Sequence, residues 1–182
     1  MISQIYHKGS LADKLEAVNA KFKGDKVVGL KSSDCRHYMC DMLKALYYCH
    51  VIIKVIHRDI KPENIMINHN EEAVLIDFGV CFLVDQQIND EIKGINIGTF
   101  NYYSPEMWLK KVDENNNPVA IKGETSDLWA LGITFFKILT GVFPFKGTTI
   151  LKLKESILND PIDFSLIKNP AARACIEHIL QK

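Results

Sequence analysis

The chain has 182 residues, 47% of them apolar, and its 22 basic side chains are balanced by 22 acidic ones. That is length enough for one globular domain with a real core. Proteins that grip nucleic acid or an anionic membrane usually show a basic excess, so neither partner is expected here.

In chain order, residues 1–9 are mixed, and Met1-Ile2-Ser3-Gln4 lacks the basic flank and apolar run of a signal peptide. Ser10 is a good N-cap with Asp13 placed for a reciprocal bond, and Leu11, Leu15 and Val18 fall on one helical face. A polar, Gly-containing connection from Lys21 to Lys31 leads to a second helix, capped by Ser32 or Ser33. Its stripe of Cys35, Met39, Met42, Leu43, Leu46 and Cys49 recurs at three-to-four spacing, the pattern of core packing, and it delivers the chain to His50.

The stretch from Val55 to Gly79 carries the chemistry. Asp59, Lys61 and Asn64 lie within six residues, and Asp77 follows Asp59 by eighteen. Between them, the apolar runs Ile65 to Ile67 and Ala73 to Ile76 flank the polar residues 68–72, which suits two strands joined by a turn. Such a hairpin returns the chain so that Asp77 sits beside Asn64, and an oxygen-rich pair there suits Mg²⁺. Phosphoryl transfer spreads negative charge over oxygens, and a protein accelerates it by fixing carboxylate, amide and ammonium groups in position. These four residues supply that set.

Beyond Gly79, residues 80–97 contain no Ser, Thr or Tyr. Asp113 to Pro118 is an Asn-rich loop. Ser126 to Thr140 is apolar nearly all round, as a helix buried on every side should be, and Gly141 ends it. Its apolar run, Leu128 to Phe136, is nine residues long, well short of the ~20 that span a bilayer. An intracellular, cytoplasmic protein is therefore the expectation. Thr148 or Thr149 caps a further helix to about Asn159, and Asn169-Pro170 opens a last one carrying Ile176, Ile179 and Leu180. The five cysteines form an odd set without a Cys-x-x-Cys pair, which argues against a disulfide framework or zinc site. Cys81, two residues past Gly79, is the one near the chemistry, and a redox role for it is a minor alternative.

His57-Arg58-Asp59 with Lys61 and Asn64 resembles the catalytic loop of the eukaryotic protein kinases, and Asp77-Phe78-Gly79 resembles their metal-binding turn. Gly98 to Glu106 is similar to the end of the activation segment, with Ser104 where the family usually has Ala, and Asp127 to Gly132 looks like the buried central helix of the large lobe. The resemblance implies a mainly α (α+β) fold, a kinase-like C-terminal lobe with a short β-hairpin at the catalytic loop and no small N-terminal lobe. Residues 1–182 would form a single partial kinase domain with a catalytic loop at 57–64 and an activation segment at 77–106.

It further implies ATP and Mg²⁺ as cofactors. Asp59 would orient the substrate hydroxyl and accept its proton, Lys61 would neutralise the transferring phosphate, and Asn64 and Asp77 would hold the metal. Thr99 would bridge the catalytic Asp and Lys, which together with Lys61 fits Ser/Thr kinases. Lys61, Asn64, Met66, Asp77 and Leu11 would contact the cofactor, with Gln4 to Tyr6 as the hinge tail. His57, Arg58, Phe78, Gly79, Glu106 and Asp127 would have structural or regulatory tasks, Asp127 by hydrogen-bonding the backbone of the catalytic loop. Arg58 would be clamped by Asp85, Asp90 or Glu91, or the loop needs no clamp. Glu63 would favour a basic residue in a protein substrate bearing Ser or Thr, and an upstream or partner kinase is expected. Within the family the similarity leans to the calcium/calmodulin-dependent kinases and their kinase kinases.

The match departs from the family in two places. Nothing before Ile56 offers the Gly-rich phosphate loop, the strand lysine or its helix glutamate; Val119-Ala120-Ile121-Lys122 spells the lysine motif but follows Glu106, too late for that task. The Arg that pairs with the family's counterpart of Glu106 would lie beyond Lys182, and Arg173 comes too early. The expectation is a truncated Ser/Thr kinase domain, inactive alone, with weak nucleotide affinity and apolar groups exposed where a small lobe would sit. The alternative is a non-catalytic kinase-lobe module that binds or scaffolds other proteins.

Overall fold

Helix α1, Leu11–Asn19, begins where the sequence asks it to. In this computed structural model, which describes residues 8–21, 28–83, 99–109 and 122–182, the Ser10 hydroxyl accepts from the Asp13 amide (3.1 Å) and the Asp13 carboxylate accepts from the Ser10 amide (2.7 Å). Two otherwise orphaned N–H groups are satisfied at once. Leu11 and Leu15 are buried, and Val18 is half-buried. The expectations for Gln4 to Tyr6, for Asp85, Asp90 and Glu91, for Asp113 to Pro118 and for Val119 to Ile121 lie outside the described residues.

Helix α2, Ser32–Tyr47, corrects the expected start. Its N-cap is Lys31, without a side-chain bond, because the Ser33 hydroxyl turns to the Asp34 carboxylate (3.0 Å) and neither serine caps. The helix is held instead by its buried stripe of Cys35, Tyr38, Met39, Met42 and Leu46. It runs into a π-helical segment, Tyr48–Ile52, closed by the bond from the Ile53 amide to the Tyr48 carbonyl (3.1 Å). The wider turn keeps Cys49 buried and turns Tyr48, Val51 and Ile52 outward.

The expected hairpin is present. Strands β2, Ile65–Ile67, and β3, Ala73–Leu75, pair antiparallel with Met66 opposite Val74. A second two-stranded pair, β1, Val55–Ile56, with β4, Phe82–Leu83, was not legible in the sequence. The start of α1 is stitched to the hairpin by a bridge between Ser10 and Met66 and by the Ile67 amide donating to the Gly9 carbonyl (2.9 Å).

Short helix α3, Pro105–Trp108, precedes α4, Gly123–Thr140, which starts three residues earlier than the expected Ser126. Leu131, Ile133, Phe135, Phe136 and Ile138 of α4 are buried to 1% exposure or less, so this helix is the axis of the core. Gly141 ends it at φ 82°, the left-handed conformation glycine tolerates. Helix α5, Ile150–Asn159, is capped by the Thr149 hydroxyl (3.2 Å to the Lys152 amide) and α6, Pro170–Ile179, by the Asn169 side chain (3.0 Å to the Ala172 amide). Among the described residues the architecture is mainly helical with two small antiparallel sheets, and no helix is long and apolar enough to cross a membrane.

Candidate functional site

The site is built upward from Asp127, a carboxylate with 1% exposure near the start of α4. It accepts the backbone amides of His57 and Arg58 at 2.8 Å each and contacts His50 Nε2 at 2.8 Å. A buried anion requires such compensation, and three donors provide it. Arg58 then turns through φ 69°, a left-handed conformation unusual for any residue but glycine, and its guanidinium lies 5.5 Å from the centre of the Phe82 ring.

His57 is fully buried and ties two segments together. Its Nε2 donates to the Ile76 carbonyl (2.9 Å), which leaves Nδ1 to accept the Asp59 amide (3.3 Å). Its ring meets Phe78 edge-on at 4.8 Å. The loop carrying Asp59 and the turn carrying Asp77 are thus fixed to each other through one imidazole.

Three of the expected residues converge directly. Lys61 Nζ lies 2.7 Å from Asp59 Oδ2, and the Asn64 amide nitrogen donates to the same oxygen at 2.8 Å and to the Asp59 carbonyl at 2.9 Å. Asn64 is buried and sits in the 3-10 turn Pro62–Asn64. With its nitrogen turned to Asp59, its amide oxygen is left as a donor atom for a cation. The Ile76 amide bonds the Asn64 carbonyl (3.0 Å), so the next residue, Asp77, emerges beside Asn64. Asp77 is exposed at φ 64°, and the Gly79 amide reaches its Oδ1 at a long 3.3 Å. A carboxylate so lightly engaged and an amide oxygen are hard-oxygen donors of the kind that suit Mg²⁺.

The model of the protein kinase domain family matches residues 1–181. The chain belongs to the protein kinase family. It is 34% identical over 149 residues to the serine/threonine-protein kinase PKH3 of Eremothecium gossypii, covering 80% of this chain and 19% of that protein. Over 168 residues it is 31% identical to mitogen-activated protein kinase kinase 2 of Arabidopsis thaliana, covering 88% of this chain and 41% of that one. Against the CBL-interacting serine/threonine-protein kinase 5 of the same plant the identity is 29% over 151 residues, with coverage of 83% and 32%. The chain therefore spans about a fifth to two fifths of the length of these curated relatives.

Within this kinase chain the other expected site residues are placed as follows. Leu11 has no exposed surface and packs in the core with Ile65 and Ile67 beneath the hairpin, while Met66 is half-buried. Thr99 is exposed, and Lys61 meets Asp59 without a hydroxyl between them. Glu106, half-buried, lies 3.5 Å from the Thr125 hydroxyl, which donates to the Lys122 carbonyl (2.7 Å), at the edge of an open cavity of about 300 Å³. Arg173 is engaged with the Ile167 carbonyl (2.9 Å), away from Glu106. All five cysteines are free thiols, Cys49 buried and Cys81 exposed.

Two residues beside the site were not singled out from sequence. Tyr102, in the 3-10 turn Phe100–Tyr102, is buried, its hydroxyl has no hydrogen-bond partner among the described residues, and burial, aided by Glu63 and Asp59, pushes its ionisation well up. Lys137 of α4 places its Nζ 4.0 Å from Glu63. No local pattern announces either contact, because each depends on how α4 crosses a distant loop.

Proposed function

We propose that this kinase chain carries the catalytic machinery of a serine/threonine kinase that moves the terminal phosphoryl group of ATP to a protein hydroxyl. The observation that carries the reading is the convergence of Lys61 and Asn64 on one oxygen of Asp59, on a loop whose backbone is anchored to a buried carboxylate. Held in this way, Asp59 keeps its remaining oxygen for the substrate hydroxyl proton, the task of a positioned general base. The Lys61 ammonium meets the charge that develops on the phosphoryl oxygens. Asn64 and Asp77 would hold Mg²⁺, which supplies charge neutralisation and alignment of the phosphates when bound.

Within these 182 residues no Gly-rich loop or strand lysine precedes the loop at 57–64. The chain alone is therefore expected to bind nucleotide weakly and transfer little phosphate. The test is competition against a fluorescent ATP analogue. Binding should require Mg²⁺ and vanish in Asp77→Ala; binding that ignores both EDTA and that substitution overturns the reading, and robust phosphorylation by the chain alone overturns its inactivity.

A second reading, a binding or scaffold module, is favoured by the run of exposed apolar residues Tyr47, Tyr48, Val51 and Ile52. Partner capture that survives Asp59→Asn and Asp77→Ala but is lost on Tyr48→Ser with Ile52→Ser would support it.

A further inference from the structure

Two thiols that the site does not use are gathered about its anchoring carboxylate. Cys49 belongs to the π-helical turn, Tyr48–Ile52, and is buried (4% exposed), whereas Cys81 follows Gly79 by two residues and is exposed. The backbone brings their segments together. Strands β1 and β4 pair Val55 with Leu83 and Ile56 with Phe82, and one more step of that antiparallel register sets Cys81 against His57. The His57 amide donates to Asp127 Oδ2 at 2.8 Å, and the same oxygen meets Nε2 of His50, the residue after Cys49, at 2.8 Å. One carboxylate oxygen therefore gathers a neighbour of each thiol. The electrostatics agree: burial pushes the Cys49 thiol up, and the nearby charges of Asp127 and then Cys81 push it further. Burial and then Cys40 push the Cys175 thiol up as well, but among the described residues no strand pairing ties α2 and α6 to the site.

Exposure and burial give the two sulfurs different tasks. An exposed thiol is open to hydrogen peroxide, and a sheltered second thiol makes the first product reversible. Peroxide would oxidise the Cys81 thiol to a sulfenic acid, releasing one water. The Cys49 sulfur then attacks the Cys81 sulfur, the S–O bond breaks, and the hydroxyl leaves with the Cys49 proton as a second water. The pair has lost two electrons and two protons, and one peroxide has become two waters. A disulfide holds its two Cα atoms within about 7 Å, so closing it draws the outer segment down onto the π-helical turn. Cys81 does not move alone, because its amide donates to the Phe78 carbonyl (3.3 Å). Asp77, the residue before Phe78, is exposed and engaged by a long 3.3 Å contact from the Gly79 amide, so it follows readily.

We propose that Cys81 and Cys49 form a peroxide-responsive thiol pair whose closing to a disulfide carries Asp77 away from Asn64. The displacement of Asp77 rests on the reading of that residue as a holder of Mg²⁺. The thiol chemistry stands without it.

The experiment treats the full chain with hydrogen peroxide and maps its tryptic fragments without reductant. The fragment carrying Cys49 should emerge joined to the one carrying Cys81, and dithiothreitol should part them. Cys49→Ala should strand Cys81 as the sulfenic acid, so that dimedone labels it roughly fivefold more than in the wild type. Cys81→Ser, at an exposed position that the fold does not depend on, should form no bridge and leave Cys49 reduced. In parallel, Mg²⁺-dependent binding of a fluorescent ATP analogue should weaken roughly tenfold on oxidation of the wild type, recover with dithiothreitol, and stay unmoved by peroxide in Cys81→Ser. No joined fragment, dimedone labelling indifferent to Cys49, or a bridge between Cys40 and Cys175 in its place overturns the pair. A joined fragment with nucleotide binding unchanged overturns the displacement of Asp77. A reduced chain that binds no nucleotide sinks the kinase reading instead, and the fragment map still decides the thiol pair.

Discussion

Asp127 holds two consecutive backbone amides, those of His57 and Arg58, at 2.8 Å each, and so sets the path of the chain two residues ahead of Asp59. Removing the carboxylate strands both amides and His50. Asp127→Ala should lower stability by roughly 3–5 kcal/mol, read as a fall in the urea midpoint, with Asp127→Asn losing less because one acceptor oxygen remains. Equal losses for the two variants would mean that packing and not the hydrogen bonds accounts for the effect.

Glu71 joins three elements at the far end of the hairpin. It pairs with Lys14 at 2.8 Å and with Lys8, and it accepts from the Tyr38 hydroxyl at 3.1 Å. The hydrogen bonds from Lys14 and then Lys8 pull its carboxyl down to about 2 from an ordinary 4.5. A depressed folded-state value means that the stabilisation is fully present above pH 4.5 and lost as pH falls towards 2. The stability gap between wild type and Glu71→Gln should therefore close across that window. Because Glu71 is half exposed, 1 M salt should narrow the gap at pH 7 as well.

Gly29 sits where the chain leans on the end of α4, and the Leu30 amide bonds the Ile138 carbonyl at 2.6 Å. A Cβ at position 29 would come within 2.0 Å of the Leu139 carbonyl oxygen, a backbone atom with no easy retreat. Gly29→Ala should cost about 1–3 kcal/mol, seen as a drop of several degrees in Tm. An unchanged Tm would show that this connection moves freely.

Asn64→Asp replaces an amide donor with a second carboxylate against Asp59 Oδ2, which Asn64 now reaches at 2.8 Å. Two carboxylates sharing a site raise the pKa of one of them, and the raised folded-state value destabilises the fold where both must ionise. The variant should be clearly less stable than wild type at pH 8 and recover towards it near pH 5. Urea melts across that range test this; a deficit independent of pH would place the two side chains apart.

What the sequence made legible was local chemistry. The reciprocal Ser10 and Asp13 bonds, the Thr149 and Asn169 caps, the turn between Ile67 and Ala73 and the glycine stop at Gly141 each depend on residues a few positions apart. The convergence of Asp59, Lys61 and Asn64 was legible for the same reason. What failed was set by competition or by distance. Ser33 spent its hydroxyl on Asp34, so a plausible cap did not form. The pairing of Ile56 with Phe82 is two residues long on each strand, too short for alternation to show. The meeting of Glu63 with Lys137 exists only once α4 has been packed.

The five residues of the π-helical segment, Tyr48–Ile52, act as a phase shifter between a long rod and a precise loop. Each residue added to or removed from an α-helical path turns everything beyond it by about 100°. Deleting one residue there would therefore do more than shorten a turn. It would swing His50 off Asp127 and present the following loop to α4 with the wrong edge, so this stretch should tolerate exchange of side chains far better than any change in its length.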